Sequence, residues 1–303
     1  MMMRIANSLF GRRTTTHRIA VAVLAVFALL ITAPAFGGTV FTRQLESAAL
    51  GRTWSYAVYL PSGYETSGLR YPVLYLLHGN GGNLYTWAND GRIQSTADAL
   101  MASGEIPPAV IVMPDAGTSW YVDRKEKMET AVIEELIPDV EKNLRVLTTR
   151  SGRLVGGLSM GGYGAMRFAL KYPDMFAAAA LLSPAVYNPE PPENSSARRV
   201  GVFGSPDYDP AVWKAYNYPA LWDAYLAKKT PVPMYINSGD DDDFFIEAEV
   251  LQLYELLRRN KQPAELRIVD GAHVWPVWES TIGDAMKYIF RFSARPAMTG
   301  PGR

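Results

Sequence analysis

The sequence predicts an α/β protein: a mostly parallel, doubly wound sheet with helices on both faces. Three observations carry this. Short apolar runs recur along the chain, of the kind that suits strands buried on both faces. Stretches of helical periodicity separate them. The chain has 303 residues, 48% hydrophobic and 20% charged, enough to enclose a large core.

Taken in order, residues 54–60 alternate like a half-exposed strand. Residues 73–77 and 110–113 are apolar throughout and read as buried strands. Residues 130–144 carry helical spacing. Residues 154–157 form a strand and 160–170 a helix. A further strand is expected over 177–182, although alanine is a poor strand former. Then follow a strand at 234–237, a helix at 247–259, a strand at 265–269 and a closing helix at 278–292. Residues 188–196 read Asn-Pro-Glu-Pro-Pro-Glu-Asn-Ser-Ser and must be a loop, since proline continues neither ladder nor helix. The Pro/Gly-rich end, 295–303, is expected to fray.

The composition removes several function classes. Thirty basic and thirty acidic side chains cancel, which argues against a protein built to bind nucleic-acid backbones. There is no cysteine, so disulfides, thiolate metal sites and a thiol nucleophile are excluded. Three histidines, His17, His78 and His273, leave little for a histidine-rich metal centre. At the N-terminus Arg4, Arg12, Arg13 and Arg18 precede an apolar run over 19–31 and then Ala33-Pro34-Ala35. This is the pattern of a secretory signal peptide over 1–35, too short in its apolar part to span a bilayer comfortably. Arg12-Arg13 is followed by three threonines rather than the apolar residues of a twin-arginine signal. Loss of 1–35 removes those four arginines and no acid, leaving 26 basic against 30 acidic side chains. One domain is expected over 36–303, exported to the periplasm or the medium, with no stable membrane partner once the leader is gone.

The sharpest chemical signal is Gly157-Leu158-Ser159-Met160-Gly161, between a predicted strand and a predicted helix. That is the context of a G-x-S-x-G nucleophile elbow. The turn is so tight that side chains two positions either side of the serine would collide, hence the glycines. The helix N-terminus then aims N–H groups at developing negative charge. Gly162 and Gly164 are expected to let this helix lie close to the sheet. A serine hydroxyl needs a base. His78 directly follows the 73–77 strand in Leu77-His78-Gly79-Asn80-Gly81-Gly82, the position of an oxyanion loop, and is expected to brace that loop. His273 follows the 265–269 strand and lies downstream of the serine, as hydrolase order requires. The acid belongs after the 234–237 strand, where Asp240, Asp241, Asp242 and Asp243 stand together. Spacing alone does not choose among them. The run is out of register for a calcium loop, and no metal or organic cofactor is implied.

With these motifs the chain resembles the esterase D-type α/β hydrolases, a group that includes feruloyl and acetyl-xylan esterases, S-formylglutathione hydrolases and mycolyltransferases. The resemblance runs from about Arg52 to Phe292. It rests on Tyr59-Leu60-Pro61-Ser62-Gly63-Tyr64, Arg70-Tyr71-Pro72-Val73-Leu74-Tyr75-Leu76-Leu77-His78-Gly79 and Val112-Met113-Pro114-Asp115. Glu135-Leu136-Ile137-Pro138, the serine motif extended to Ala165, and Gly271-Ala272-His273-Val274-Trp275 with Trp278 complete it. It implies the α/β-hydrolase fold, the triad Ser159, Asp242 and His273, and an oxyanion hole from the N–H groups of Asn80 and Met160. Asp242 is implied because the family's acid lies three residues beyond the glycine ending its strand, here Gly239. One departure is Val274, where the family usually has aspartate.

The resemblance implies a secreted serine esterase of small-molecule or carbohydrate esters, of feruloyl or acetylated-sugar type. A formylglutathione role fits poorly with export. Acyl transfer to an alcohol would use the same triad, and a non-catalytic binding protein on the same fold is the third reading. The segment around 187–225 carries Tyr187, Phe203, Tyr208, Trp213, Tyr216, Tyr218 and Trp222, where hydrolases place lids. It is suited to stacking on an aromatic or sugar substrate, or equally to packing its own rings. Trp120 and Tyr121 are expected in the same cleft, and Trp275 is grouped with them as substrate-binding.

Overall fold

The computed structural model describes residues 37–298. The expected leader lies outside the described residues, as does 299–303. The eight strands are β1 (Thr39–Ser47), β2 (Arg52–Leu60), β3 (Val73–Leu77), β4 (Val110–Pro114), β5 (Arg153–Leu158), β6 (Ala178–Leu182), β7 (Met234–Gly239) and β8 (Ala264–Val269). They form one sheet in the order β1-β2-β4-β3-β5-β6-β7-β8. β1 and β2 pair antiparallel, as do β2 and β4, and every later pairing is parallel.

Alternation along the inner strands divides the core into two layers. Val73, Tyr75 and Leu77 face one layer while Leu74 and Leu76 face the other. Val110 and Val112 likewise oppose Ile111 and Met113. The helices Met160–Lys171 and Ile246–Arg259 cover the first face, and Ile93–Ala102 and Trp275–Phe290 cover the second. Both faces are therefore dry, which is why these strands are apolar at every position. Ala178, Ala179 and Ala180 are fully or almost fully buried. Their small side chains suit a central strand whose neighbours and helices press close, and burial overrides propensity there.

Four expectations are corrected. β1 and the helix Ile93–Ala102 are additional elements. β1 is an edge strand rich in Thr, Arg, Gln and Glu, yet all nine of its residues pair with β2. Because β1 shields it, β2 is an interior strand, buried from Tyr56 to Leu60 rather than half exposed. The closing helix is Trp275–Phe290, and Pro276 stands in its first turn, where a missing N–H breaks no helical bond. Residues up to 298 are also held more firmly than expected, since Arg70 and Ala297 exchange two backbone hydrogen bonds, 3.0 and 3.1 Å.

The expected helix over 130–144 is continuous from Met128 to Asn143 but π-helical over Ala131–Leu136. Pro138 offers no N–H to the turn before it, which favours the wider winding.

Candidate active site

The parallel strands end on one edge, and the loops leaving that edge meet there. Register places Leu77 beside Gly157, Leu158 beside Leu182, and Gly239 beside Val269. Residues just beyond β3, β5, β7 and β8 are thereby brought together from distant parts of the chain.

Ser159 follows β5 with φ 53° and ψ −119°, a conformation that a residue with a Cβ adopts only under constraint. Its backbone is held from three sides. Its N–H donates to Leu182 O at 2.9 Å, and its carbonyl accepts from Tyr163 and Ala185. A Cβ on Gly161 would lie 2.4 Å from Leu77 O, and one on Gly157 would lie 2.5 Å from the Gly161 carbonyl. The glycines of the pentapeptide thus make room for backbone, which cannot yield as a side chain can. Gly164 makes room for the Tyr121 ring rather than for a strand.

His273 Nε2 lies 2.9 Å from Ser159 Oγ, and its Nδ1 lies 2.7 Å from Asp242 Oδ2. The consistent proton arrangement has Nδ1–H donating to the carboxylate and the serine hydroxyl donating to Nε2. The Asp242 side chain is fully buried, and its second oxygen accepts from Phe244 N–H at 3.0 Å. Both oxygens of this buried carboxylate thus have a hydrogen-bond donor. Two rings clamp the imidazole edge-on, Phe244 and Trp278, each 4.9 Å away between centroids. Trp278 is itself tethered through Nε1 to Ser183 Oγ at 3.0 Å.

The β3 loop is braced by His78. Its Nδ1–H donates to Gly79 O at 2.7 Å, and its Nε2 accepts from Ala116 N–H at 2.9 Å. Burial lowers its pKa, against the opposing pull of Gly79 O and Asp115, so the ring is kept neutral. Trp87 Nε1 donates to Leu77 O, and Tyr121 OH donates to His78 O. Met160 opens the helix, so its N–H has no acceptor within it. The Asn80 N–H likewise donates to no backbone carbonyl among the described residues.

A cavity of about 480 Å³ opens over these groups and is lined by Ser159, His273, Asn80 and Trp275 among others. Trp275 is where the sequence places it. Trp120 and Tyr121 are not. Both have φ 55°, so two consecutive left-handed residues turn their rings into the core. Trp120 is 1% exposed and packs edge-on against Tyr163, Phe203 and Trp213. Tyr121 is buried beneath the β3 loop, which it supports. The aromatics of 187–225 likewise pack mainly on the core, with Tyr187, Phe203, Trp213, Tyr218 and Trp222 buried. What that segment presents to the cavity is polar: Asn194, Ser196 and Arg199. Sequence reasoning missed these, and also Thr86, Asp90 and Phe244. The one available signal was the loop composition of 188–196.

The exposed carboxylates of Asp240, Asp241 and Asp270 converge within 4.8 Å at the surface. Asp240 already accepts from Gly271 N–H, and exposed acids meet in this way without an ion.

A family model described as "Putative esterase" matches residues 47–289. An endo-1,4-beta-xylanase/feruloyl esterase of Xylanibacter ruminicola is 36% identical over 154 residues, 48% of this chain and 21% of that protein. The chain therefore spans only about a fifth of that relative's length. An acetyl esterase of Caldicellulosiruptor saccharolyticus is 29% identical over 235 residues, 73% of this chain and 84% of that one. Among solved structures, a ferulic acid esterase superposes with a TM-score of 0.71 at 31% identity, covering 85% of this chain and 99% of its own. The architecture is the α/β-hydrolase fold that the sequence resemblance implies.

Proposed function

Because the chain belongs to that esterase family, we propose that it hydrolyses carboxylic esters with Ser159 as nucleophile, His273 as base and Asp242 as the partner of the imidazole. The observation that carries this reading is the unbroken line of hydrogen bonds, 2.9 Å from Ser159 Oγ to His273 Nε2 and 2.7 Å from Nδ1 to Asp242. Serine loses its proton to Nε2 as Oγ attacks the acyl carbon. Asp242 stabilises the imidazolium and holds the tautomer that leaves Nε2 free to accept. The N–H groups of Asn80 and Met160 receive the oxyanion. The leaving alcohol takes the proton from Nε2, and water then cleaves the acyl-enzyme by the same route.

The substrates proposed are feruloyl or acetyl esters of carbohydrates, after the names of the feruloyl and acetyl esterases to which the chain is similar. Trp275 on the cavity wall offers an apolar ring to such a group. Export is proposed on the leader pattern of 1–35. Among the described residues no helix is long and apolar enough to cross a membrane.

The test is hydrolysis of nitrophenyl acetate, a feruloyl ester and acetylated xylan by the purified protein and by Ser159→Ala. Loss of turnover with an unchanged circular dichroism spectrum is expected. Undiminished hydrolysis by the variant would remove the assignment. Product analysis with an added sugar acceptor separates hydrolysis from acyl transfer.

A further inference from the structure

Two neighbouring arginines on the 187–225 segment are treated differently by the fold. Arg198 is neutralised. Its guanidinium lies 3.2 Å from Glu190 and 3.5 Å from Glu193, and it covers the Tyr208 ring. Arg199 has no carboxylate oxygen within 4 Å among the described residues. Its Nη2 donates to Asn194 O at 2.6 Å, and its Nη1 reaches Glu193 O at 3.5 Å. Carbonyl oxygens orient a guanidinium without cancelling its charge, and they leave most of its five N–H donors free. This side chain lines the same cavity as Ser159 and His273.

The rest of that cavity sharpens the contrast. Among the described residues Asp90 is the one carboxylate lining it, and it comes from the β3-loop side of the chain. It makes no ion pair with Arg199. An anionic substituent would be drawn to the 194–199 wall and repelled from the Asp90 wall. The remaining polar groups there, such as Asn83, Thr86 and Ser196, are neutral.

We propose that Arg199 determines specificity by pairing with a carboxylate on the substrate, so that the enzyme prefers esters whose acyl or alcohol part is anionic. This rests on the reading of Ser159 as an ester-cleaving nucleophile. A planar guanidinium fork matches a carboxylate in two parallel hydrogen bonds, which a lysine cannot reproduce. Arg199 lines the cavity but is itself exposed to solvent, so salt screens the attraction.

The test uses the full chain and two arms. In the acyl arm, mono-4-nitrophenyl adipate is compared with 4-nitrophenyl hexanoate, with spontaneous hydrolysis subtracted. In the alcohol arm, acetylated methyl glucuronoside is compared with acetylated methyl glucoside. The readout is the ratio of kcat/KM, anionic over neutral. A ratio of about fivefold to tenfold is expected in one arm, the range of a partly exposed charge-assisted pair. Arg199→Gln should bring that ratio to about one, and Arg199→Lys should keep part of it. Arg198→Gln should keep the wild-type ratio, and added salt should lower it. A wild-type ratio of one or below in both arms overturns the inference, as does a ratio that Arg199→Gln leaves unchanged or that Arg198→Gln abolishes equally. If none of the four esters is cleaved, the esterase reading has failed and takes this one with it. If neutral and anionic esters are cleaved without preference, only the role of Arg199 falls.

Discussion

Glu129 is 2% exposed and lies beneath the helix that opens on Ser159. Its carboxylate accepts from Arg167 Nη2 at 2.7 Å, from Tyr172 OH at 2.7 Å and from Lys171 Nζ. Arg167 is itself 3% exposed and also donates to Tyr216 O, so the cluster joins the helix to the 187–225 segment. The perturbation is Glu129→Gln, which keeps the shape, removes the charge and sets an amide N–H₂ against cationic donors. Stripping one partner from a buried pair costs about 3–5 kcal/mol. Lys171 is 44% exposed and adds little, so the lower end, about 3 kcal/mol, is expected. For a domain of this size that is a fall of roughly 6–12 °C in Tm. Urea denaturation at pH 7 should show a lower midpoint with an unchanged m-value. Adding Arg167→Met should recover part of the loss, because the uncompensated guanidinium goes with it.

The pH dependence supplies a second check. Burial pushes the Glu129 pKa up, but Arg167, Lys171 and Tyr172 together outweigh it and hold the group below the ordinary 4.5. A carboxylate whose folded pKa is depressed contributes its full stability above the unfolded value and loses it as pH falls through the folded one. The gap between wild type and Glu129→Gln should therefore narrow on acidification below about pH 4.5. A gap under about 1 kcal/mol at pH 7, or one equally wide at pH 3, would refute this account of the cluster.

Gly161→Ala should lower ester turnover at least tenfold and destabilise by about 2 kcal/mol, since its Cβ would sit 2.4 Å from Leu77 O and 2.7 Å from His78 O; nitrophenyl acetate kinetics and a thermal melt read both. His78 is held below its ordinary 6.5 by burial, so the stability tied to its neutral form is present above that pH and lost as pH falls through the folded value. His78→Gln should flatten the fall in Tm below about pH 6.5 while costing about 1–2 kcal/mol at pH 7.5.

The inner strands were legible because a position dry on both faces must be apolar. The run from Val73 to Leu77 coincides with β3 residue for residue. β1 was not, because an edge strand needs only half its side chains apolar and here carries Arg43, Gln44 and Glu46. Trp120 and Tyr121 were misplaced because their left-handed backbone is disfavoured for aromatic residues and nothing local announces it. Aromatic rings on a segment beside a cleft can face either way, and here mutual packing of Trp120, Phe203 and Trp213 draws them inward.

By itself the sequence singled out Ser159 and His273 as candidates. Each sits in a short motif whose residue types the local turn demands, and composition left few other candidates. Spacing left Asp242 level with its three neighbours and the family resemblance pointed to it, but only the tertiary structure supplies the physical reason. Asp240, Asp241 and Asp243 are exposed, whereas the Asp242 carboxylate is withdrawn from water against His273 Nδ1 and Phe244 N–H. Four adjacent carboxylates are equivalent along a chain. They become different only when the fold offers one of them, and no other, a buried pair of donors in exchange for solvent.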